Sequence, residues 1–330
     1  MDNLTHSLVG AVLGQAGLKR RTGLGMAALV IGANLPDVDA ACFFWLEGTE
    51  HLAFRRGITH GPPAWVLLPL VLAGALWWFD RWQEKRGKRP EDRLPVHFGW
   101  LYALAFIGCL SHPALDWLNV YGIRLLEPFS SQWFYGDTLF IIDPWLWALL
   151  IGSLWWSRRR EKRGGEWRRP AQLGIAAMLA YIALNGWISF AEALRVRSND
   201  MSDEIAVIAS PVPLTFWKRE GLVGGNGTWL VVRDQSSSDQ PVMQEGGGAT
   251  ETAQFFAPIA EQMCKLPDFT EARRTNSQLD AFLFWSRAPF AVRADDGSVI
   301  LYDARFYDPR ARDRFSVALP QVKCEELARP

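Results

Sequence analysis

The sequence predicts an all-α polytopic membrane helical bundle followed by a C-terminal, mainly β (α+β) soluble domain. Three observations carry that expectation. Long uncharged apolar runs are confined to residues 1–197, Lys and Arg gather in two short loops between those runs, and from residue 198 onward the chain is rich in Gly, Ser and Asp. Whole-chain averages hide the division, because 330 residues with 35 Lys plus Arg, 35 Asp plus Glu and 49% hydrophobic content resemble a neutral soluble protein. Residues 1–197 hold 21 basic and 16 acidic residues, and 198–330 hold 14 and 19. The length suits two domains, 1–197 as a transmembrane bundle and 198–330 as an extracytoplasmic soluble domain. Zero net charge gives no pull toward nucleic acid, and 17 Trp exclude a disordered chain.

The first apolar stretch, 4–18, is too short to cross a membrane comfortably, and its charges (Lys19, Arg20, Arg21) follow it. That is the wrong polarity for an export signal, so it reads as a retained helix, tucked into the bundle or partly inserted. Residues 23–46 form a candidate span interrupted by Asn34, Pro36, Asp37 and Asp39. Four further spans are expected at 64–79, 96–110, 141–156 and 171–190, completed by flanking residues to the roughly 20 that a crossing needs. The loop 81–93 carries six basic residues and 157–169 carries seven, which places both in the cytoplasm. By alternation, 47–63, 111–140 and the tail after Arg197 lie outside. Trp77, Trp78, Trp155 and Trp156 beside the basic loops either mark the headgroup level or fill the bundle.

In the tail, TWLVVR (228–233), FAVRA (290–294) and SVILYDARF (298–306) read as strands, with a turn at DDG (295–297). Loops are expected at 224–227 and 235–240, and a helix near 252–266. Cys264 and Cys324 would face an oxidising compartment, either free or joined. Cys42 and Cys109 read as buried small hydrophobes.

The chemistry is expected at membrane level. His6 (DNLTHS), His60 (RRGITHG) and His112 (SHPALDWLN) occupy polar islands in apolar sequence, alongside Asp37 and Asp39 (NLPDVD), Asp116, Asp137 and Asp143. An ionisable group in a bilayer costs about 2.5–3.5 kcal/mol on insertion scales, so this density needs a reason. Imidazole and carboxylate ligate divalent transition metals, and a bound cation offsets the carboxylate cost. On a helix, His112 and Asp116 project from one face a turn apart. A helix rising from the Lys19–Arg21 cluster reaches Asp37 after roughly 24 Å, and the candidates then fall on the non-cytoplasmic side, His6 among them if the N-terminus is also outside. Each has a plain alternative. His6 can start a helix, Asp37 can cap a helix break, Asp39 can be its solvated neighbour, and His60 can cap the span after it. Asp137 and Asp143 can order the backbone, the favoured reading for Asp143. His51 and His97 read as surface or interface residues.

The segments DNLTHSLVG, NLPDVD, RRGITH, SHPALDWLNVYGIRLLEPFS and YGDTLFIIDPW, in order over residues 1 to about 195, closely resemble the bacterial YdjM-like family, described as LexA-regulated, membrane-bound, predicted metal-dependent hydrolases. The resemblance implies a multi-helix inner-membrane protein with a metal-centred hydrolase site, and carries metal binding onto His6, Asp37, His60, His112 and Asp116. Asp39 joins them as a candidate from its place in NLPDVD. One position departs: the family shows His-Arg-Gly-x-Thr-His, and this chain has Arg55 where that first histidine stands. Either that position is no ligand, or His51 replaces it, or metal binding is weakened.

The expected mechanism uses one or two divalent ions, zinc first with manganese or magnesium as alternatives, to activate water. Asp137 accepts the proton, and Arg56 and Arg124 hold a phosphate or carboxylate, unless Arg124 is a snorkelling interface residue. The expected partners are membrane lipids and an amphiphilic substrate, with phosphoester cleavage favoured over amide. The rival readings are a non-catalytic membrane scaffold with a structural metal and a partner-binding outer domain, and a transporter with carboxylates along an ion path.

Overall fold

The computed structural model describes residues 1–197, 205–234, 254–325 and 327, and they fold into two compact units. One comprises Met1–Phe44, Phe54–Trp187 and Pro211–Trp217, the other Trp45–Ala53, Ile188–Ser210 and Lys218–Pro330. Three short segments, 45–53, 188–197 and 211–217, fold with the unit on the other side of the expected 197/198 boundary.

In the first unit, α1 (Asn3–Gln15) begins where Asp2 accepts the N–H groups of Leu4 and Thr5 at 3.0 and 3.1 Å, a side-chain cap for donors that have no partner inside the helix. Helix α2 (Gly25–Gly32) stops at Ala33–Asn34, and the chain continues as a 3-10 segment, Leu35–Phe44, bent by 48° from it. The Asn34 amide bonds back to the Val30 carbonyl at 2.8 Å at this break. After α3 (Glu50–Phe54) and a 3-10 turn at Ile58–His60, α4 (Pro62–Lys85) opens on two prolines, which cost nothing at positions whose N–H is unpaired anyway. Helices α5 (Phe98–Trp117), α6 (Pro144–Lys162) and α7 (Arg168–Arg197) follow, the first unit taking α7 as far as Trp187. Asp143 caps α6 through Trp145 N and Leu146 N, both at 3.0 Å, and accepts the Tyr181 hydroxyl at 2.9 Å. Its structural reading holds.

Among the described residues three helices, α4, α5 and α7, are long and apolar enough to cross a membrane, and the bent pair makes a fourth when counted as one span. Helix α6 differs from expectation. Arg158, Arg159, Arg160, Glu161 and Lys162 fill its last turns, leaving 144–157 as the apolar part, too short alone. Trp78 and Trp155 are 64% and 60% exposed, and the Arg81, Arg159 and Arg160 guanidiniums lie over Trp77, Trp155 and Trp156. These indoles face outward and do not fill the bundle.

Two apolar clusters hold the helices. Ala28, Leu29, Leu72, Ala73, Leu101 and Leu104 join α2, α4 and α5, and Val9, Val12, Leu115, Leu146, Leu150 and Met178 join α1 to α5, α6 and α7. Helix α2 is gripped closely on two sides. A Cβ on Gly10 of α1 would lie 2.8 Å from the Leu29 carbonyl oxygen and 2.9 Å from Val30 Cα, and one on Gly108 of α5 would lie 3.1 Å from Ala33 N. Backbone cannot yield to a methyl group, so only glycine permits this approach, a form of small-residue packing common between membrane helices.

Among the described residues, two four-stranded sheets follow, lying in the second unit apart from 211–217. One runs in the order β1 (Ala206–Val212), β2 (Thr215–Gly225), β3 (Thr228–Asp234), β4 (Gln254–Pro258), the other β5 (Met263–Cys264), β6 (Pro289–Arg293), β7 (Ser298–Asp303), β8 (Ser316–Lys323). β2–β3–β4 and β5–β6–β7–β8 pair antiparallel. Ile208, Leu222, Trp229, Phe290 and Tyr302 form a core shared by both sheets. The strands expected at 228–233, 290–294 and 298–306 form, the last ending early in a 3-10 turn at Ala304–Phe306; of the loop expected at 224–227 only Asn226 and Gly227 form the tight turn, since Gly224 and Gly225 pair with Trp229 and Thr228 as the end of β2. The helix expected at 252–266 does not form, for β4 and β5 occupy its described part. Helices α8 (Ala272–Thr275) and α9 (Ser277–Trp285), the latter capped by Asn276, were not anticipated. The loop expected at 235–240 lies outside the described residues. Cys264 and Cys324 form a disulfide with Cα atoms 5.4 Å apart, and Cys42 and Cys109 are buried free thiols.

Candidate metal centre

The glycines that seat α2 also place two histidines. His6 lies one turn before Gly10 on α1, and His112 one turn after Gly108 on α5, so both imidazoles meet at the broken C-terminal end of α2. That end leaves the Ala33 carbonyl without an intrahelical donor. His112 Nδ1 sits 2.7 Å from this oxygen. A carbonyl only accepts, so Nδ1 carries the proton and Nε2 keeps its lone pair.

His60 is fixed by the same logic through a different group. The Thr59 hydroxyl donates to Asp39 Oδ2 at 3.1 Å and lies 2.9 Å from His60 Nδ1. A hydroxyl has one proton, and the carboxylate takes it, so His60 Nδ1–H must donate to Thr59 Oγ1 and Nε2 is bare. Burial first, then the nearby His112 and Arg56, hold the His60 imidazole well below its ordinary range, so it is neutral, the form that ligates metals.

These nitrogens converge on Asp116. His6 Nε2 is 3.4 Å from Asp116 Oδ1, and His112 Nε2 and His60 Nε2 are 3.6 and 3.7 Å from Oδ2. His112 Nε2 is also 3.7 Å from Asp37 Oδ1. The His6 and His112 rings stack with centroids 3.7 Å apart, and His60 meets His112 edge-on at 5.0 Å. The side chains of His6, His60, His112 and Asp116 are fully buried, that of Asp37 is 8% exposed, and none of the three Nε2 atoms makes a hydrogen bond. Among the described residues two ligand groups result, His6–Asp37–His112 and His60–His112–Asp116. The separations suit a shared cation. Two donors at about 2.0–2.1 Å from one tetrahedral ion stand roughly 3.3–3.4 Å apart, longer than a good hydrogen bond and close to what is found here.

The YdjM inner membrane protein family model matches residues 1–191. The chain belongs to that family. Every side chain of the centre lies inside the match, whereas both β-sheets of this YdjM-family protein lie beyond it. No curated protein and no solved structure matches the chain.

Other candidates have different positions. Asp39 stands behind the ligands, accepting Arg56 N at 2.8 Å and the Thr59 hydroxyl, and it orients His60 through Thr59. Arg56 corrects an expectation. Its guanidinium turns inward, with Nε 3.0 Å from Asp116 Oδ2, Nη1 donating to Asn119 Oδ1 at 2.9 Å and to the Gly122 carbonyl at 3.2 Å, and the plane over Tyr121. It holds Asp116 and is not shaped as a clamp for a substrate anion. Arg124 is likewise turned into protein, donating to the Phe54 carbonyl at 3.2 Å and lying 3.6 Å from Glu127, which removes the snorkelling alternative. Asp137, at φ 45°, belongs to neither ligand group, and the next two residues bond to the Leu118 carbonyl just beyond α5. His51 Nδ1 lies 2.7 Å from the Gly48 carbonyl and His97 is exposed before α5; neither belongs to a ligand group among the described residues.

Sequence reasoning missed Thr59, Asn119 and the pairing of Arg55. Arg55 Nη2 is 2.9 Å from Asp37 Oδ1, and its Nε is 3.5 Å from Asp39 Oδ1. The available signal was charge: a guanidinium beside NLPDVD carboxylates in apolar surroundings needs a partner.

Proposed function

We propose that the protein is a multi-pass, membrane-bound, metal-dependent hydrolase of the inner membrane, with its centre and C-terminal domain on the extracytoplasmic side, acting on an amphiphilic ester or phosphoester. One observation carries the reading: three buried imidazoles turn Nε2 atoms that make no hydrogen bond toward one buried carboxylate. Zinc fits this nitrogen and carboxylate donor set. His6, His60, His112, Asp37 and Asp116 would hold a divalent ion, which would supply Lewis-acid activation of water and of the scissile group. The protein's own residues prepare the place. Ala33 and Thr59 fix the tautomers of His112 and His60, Arg56 and Asn119 hold Asp116, and Asp137 is the carboxylate outside the ligand set assigned to accept a proton.

The orientation is supported by the basic loops between α4 and α5 and between α6 and α7, and by the Cys264–Cys324 disulfide, which suits an oxidising compartment. A structural metal that staples α1, α5 and the loop before α4 is the second reading, favoured by full burial of four ligand side chains. The test is metal analysis of purified protein and of its His112→Ala and Asp116→Ala variants, with phosphoester and lipid-ester hydrolysis assayed in parallel. Metal and turnover lost together support the hydrolase; metal without turnover supports the staple; unchanged metal in both variants refutes the centre. A reporter fused after Arg197 that works only in the cytoplasm refutes the orientation.

A further inference from the structure

We propose that this centre holds a single divalent ion, and that the Arg55 guanidinium supplies, between Asp37 and Asp39, the positive charge that a second ion would bring. The inference rests on the metal reading above and adds the number of ions and the residue that limits it.

The two ligand groups share His112. Its Nδ1 is engaged by the Ala33 carbonyl at 2.7 Å, which leaves Nε2 alone for ligation. One lone pair ligates one ion, so the groups cannot each hold an ion through His112. They are two faces of one coordination shell.

A paired ion, about 3.5–4 Å from the first, would need further carboxylate oxygens, and Asp37 and Asp39 are the ones at hand. Arg55 already lies against both, at 2.9 Å from Asp37 Oδ1 and 3.5 Å from Asp39 Oδ1. The remaining oxygen of Asp39 accepts two donors, Arg56 N at 2.8 Å and the Thr59 hydroxyl at 3.1 Å. Guanidinium charge is permanent at any physiological pH, so Arg55 cannot step aside by losing a proton.

Charge balance points the same way. Asp37, Asp39 and Asp116 oppose Arg55 and Arg56, leaving one net negative charge among neutral ligand imidazoles. One divalent ion turns that into one net positive charge. A second would leave three positive charges in a place where every candidate ligand side chain is 8% exposed or less, without water to screen them. Arg55 itself is 24% exposed, at the rim of the cluster, so its replacement disturbs packing least.

The test uses the full chain in detergent, stripped with chelator, loaded with zinc or manganese, desalted and assayed for metal per chain, with electron paramagnetic resonance of the manganese form. Native protein and Arg55→Lys, which keeps the charge, are expected to hold one ion with an uncoupled manganese spectrum. Arg55→His is expected to rise toward two ions with a spin-coupled pair, and Arg55→Gln is the second variant should the first fail to fold. Two ions in native protein overturn the inference while leaving the metal centre intact. One ion in every folded Arg55 variant overturns the role of Arg55. No ion in native protein overturns the metal reading and this inference with it.

Discussion

Thr59→Val tests the tautomer argument at its narrowest point. The substitution keeps the branched shape and deletes the hydroxyl that stands between Asp39 Oδ2 and His60 Nδ1, at 3.1 and 2.9 Å. Two hydrogen bonds at about 0.5–1.5 kcal/mol each set the loss of fold stability at about 1–3 kcal/mol. For the ion, losing an outer-shell partner of a ligating histidine typically costs 10–100-fold in affinity, or about 1.4–2.7 kcal/mol. Asp39 Oδ2 stands only 3.5 Å from His60 Nδ1 and takes over part of the orienting role, so the expected loss is at the lower end, about tenfold. The assay is competition for zinc between detergent-solubilised protein and a chromophoric chelator, with thermal unfolding of the metal-free form read separately. Thr59→Ser, which restores the hydroxyl, should recover native affinity. Native zinc affinity in Thr59→Val would show that the hydroxyl does not orient His60.

Further outcomes follow from other parts of the molecule. Gly10→Ala pushes a methyl group against Leu29 and Val30 backbone, so thermal unfolding should show a loss of about 1–3 kcal/mol, with reduced metal content because His6 shifts with α1; a native melting curve would contradict the close packing. In the second unit, burial pushes the Asp303 carboxyl up, but the Arg305 guanidinium at 2.8 Å and the Ser286 hydroxyl outweigh it and hold the group below its ordinary range. A depressed carboxylate stabilises the fold fully above its unfolded value of about 3.9 and loses that contribution as pH falls through the folded value. Asp303→Asn should therefore cost about 3–5 kcal/mol at neutral pH by removing the carboxylate that faces the buried Arg305 guanidinium, and should flatten the acid limb of the stability curve; equal acid sensitivity in both proteins would refute the pairing. Cys324→Ser opens a loop closed over 60 residues and should destabilise the second unit by about 4 kcal/mol. Thiol labelling of unfolded native protein without reductant should reach Cys42 and Cys109 and spare Cys264 and Cys324; labelling of all four would exclude the disulfide.

Much of the fold was legible because the signals were local. A run such as 64–79 must be a buried or membrane helix whatever surrounds it, and FAVRA–DDG–SVILYD names a hairpin through alternation and turn residues. The segment 252–266 was misread because its partner is remote. Phe255 and Phe256 pair across β3 with Arg233 and Val232, and Cys264 is fixed by Cys324, contacts that no local pattern announces. Helix α6 runs past the expected span, 141–156, because its helicity continues through the charged turns at 158–162, where apolar content no longer marks it.

For the centre, the sequence by itself determined which residues are costly. Imidazoles and carboxylates stranded in apolar segments demand one another or a cation, and that singles out His6, His60 and His112 with Asp37, Asp39, Asp116, Asp137 and Asp143; the family resemblance narrows ligation to His6, Asp37, His60, His112 and Asp116. Only the tertiary structure decided their roles. Asp37 and Asp39 are two residues apart and chemically identical, yet one faces the ligand groups and the other stands behind Thr59. Arg55 and Arg56 are adjacent, yet one pairs with Asp37 at the rim and the other holds Asp116 in the interior. The physical reason is that a lone pair or a charge acts along a direction. Those directions are set by the break after α2, the glycine contacts on its two sides and the single proton of one hydroxyl, none of which composition or spacing encodes.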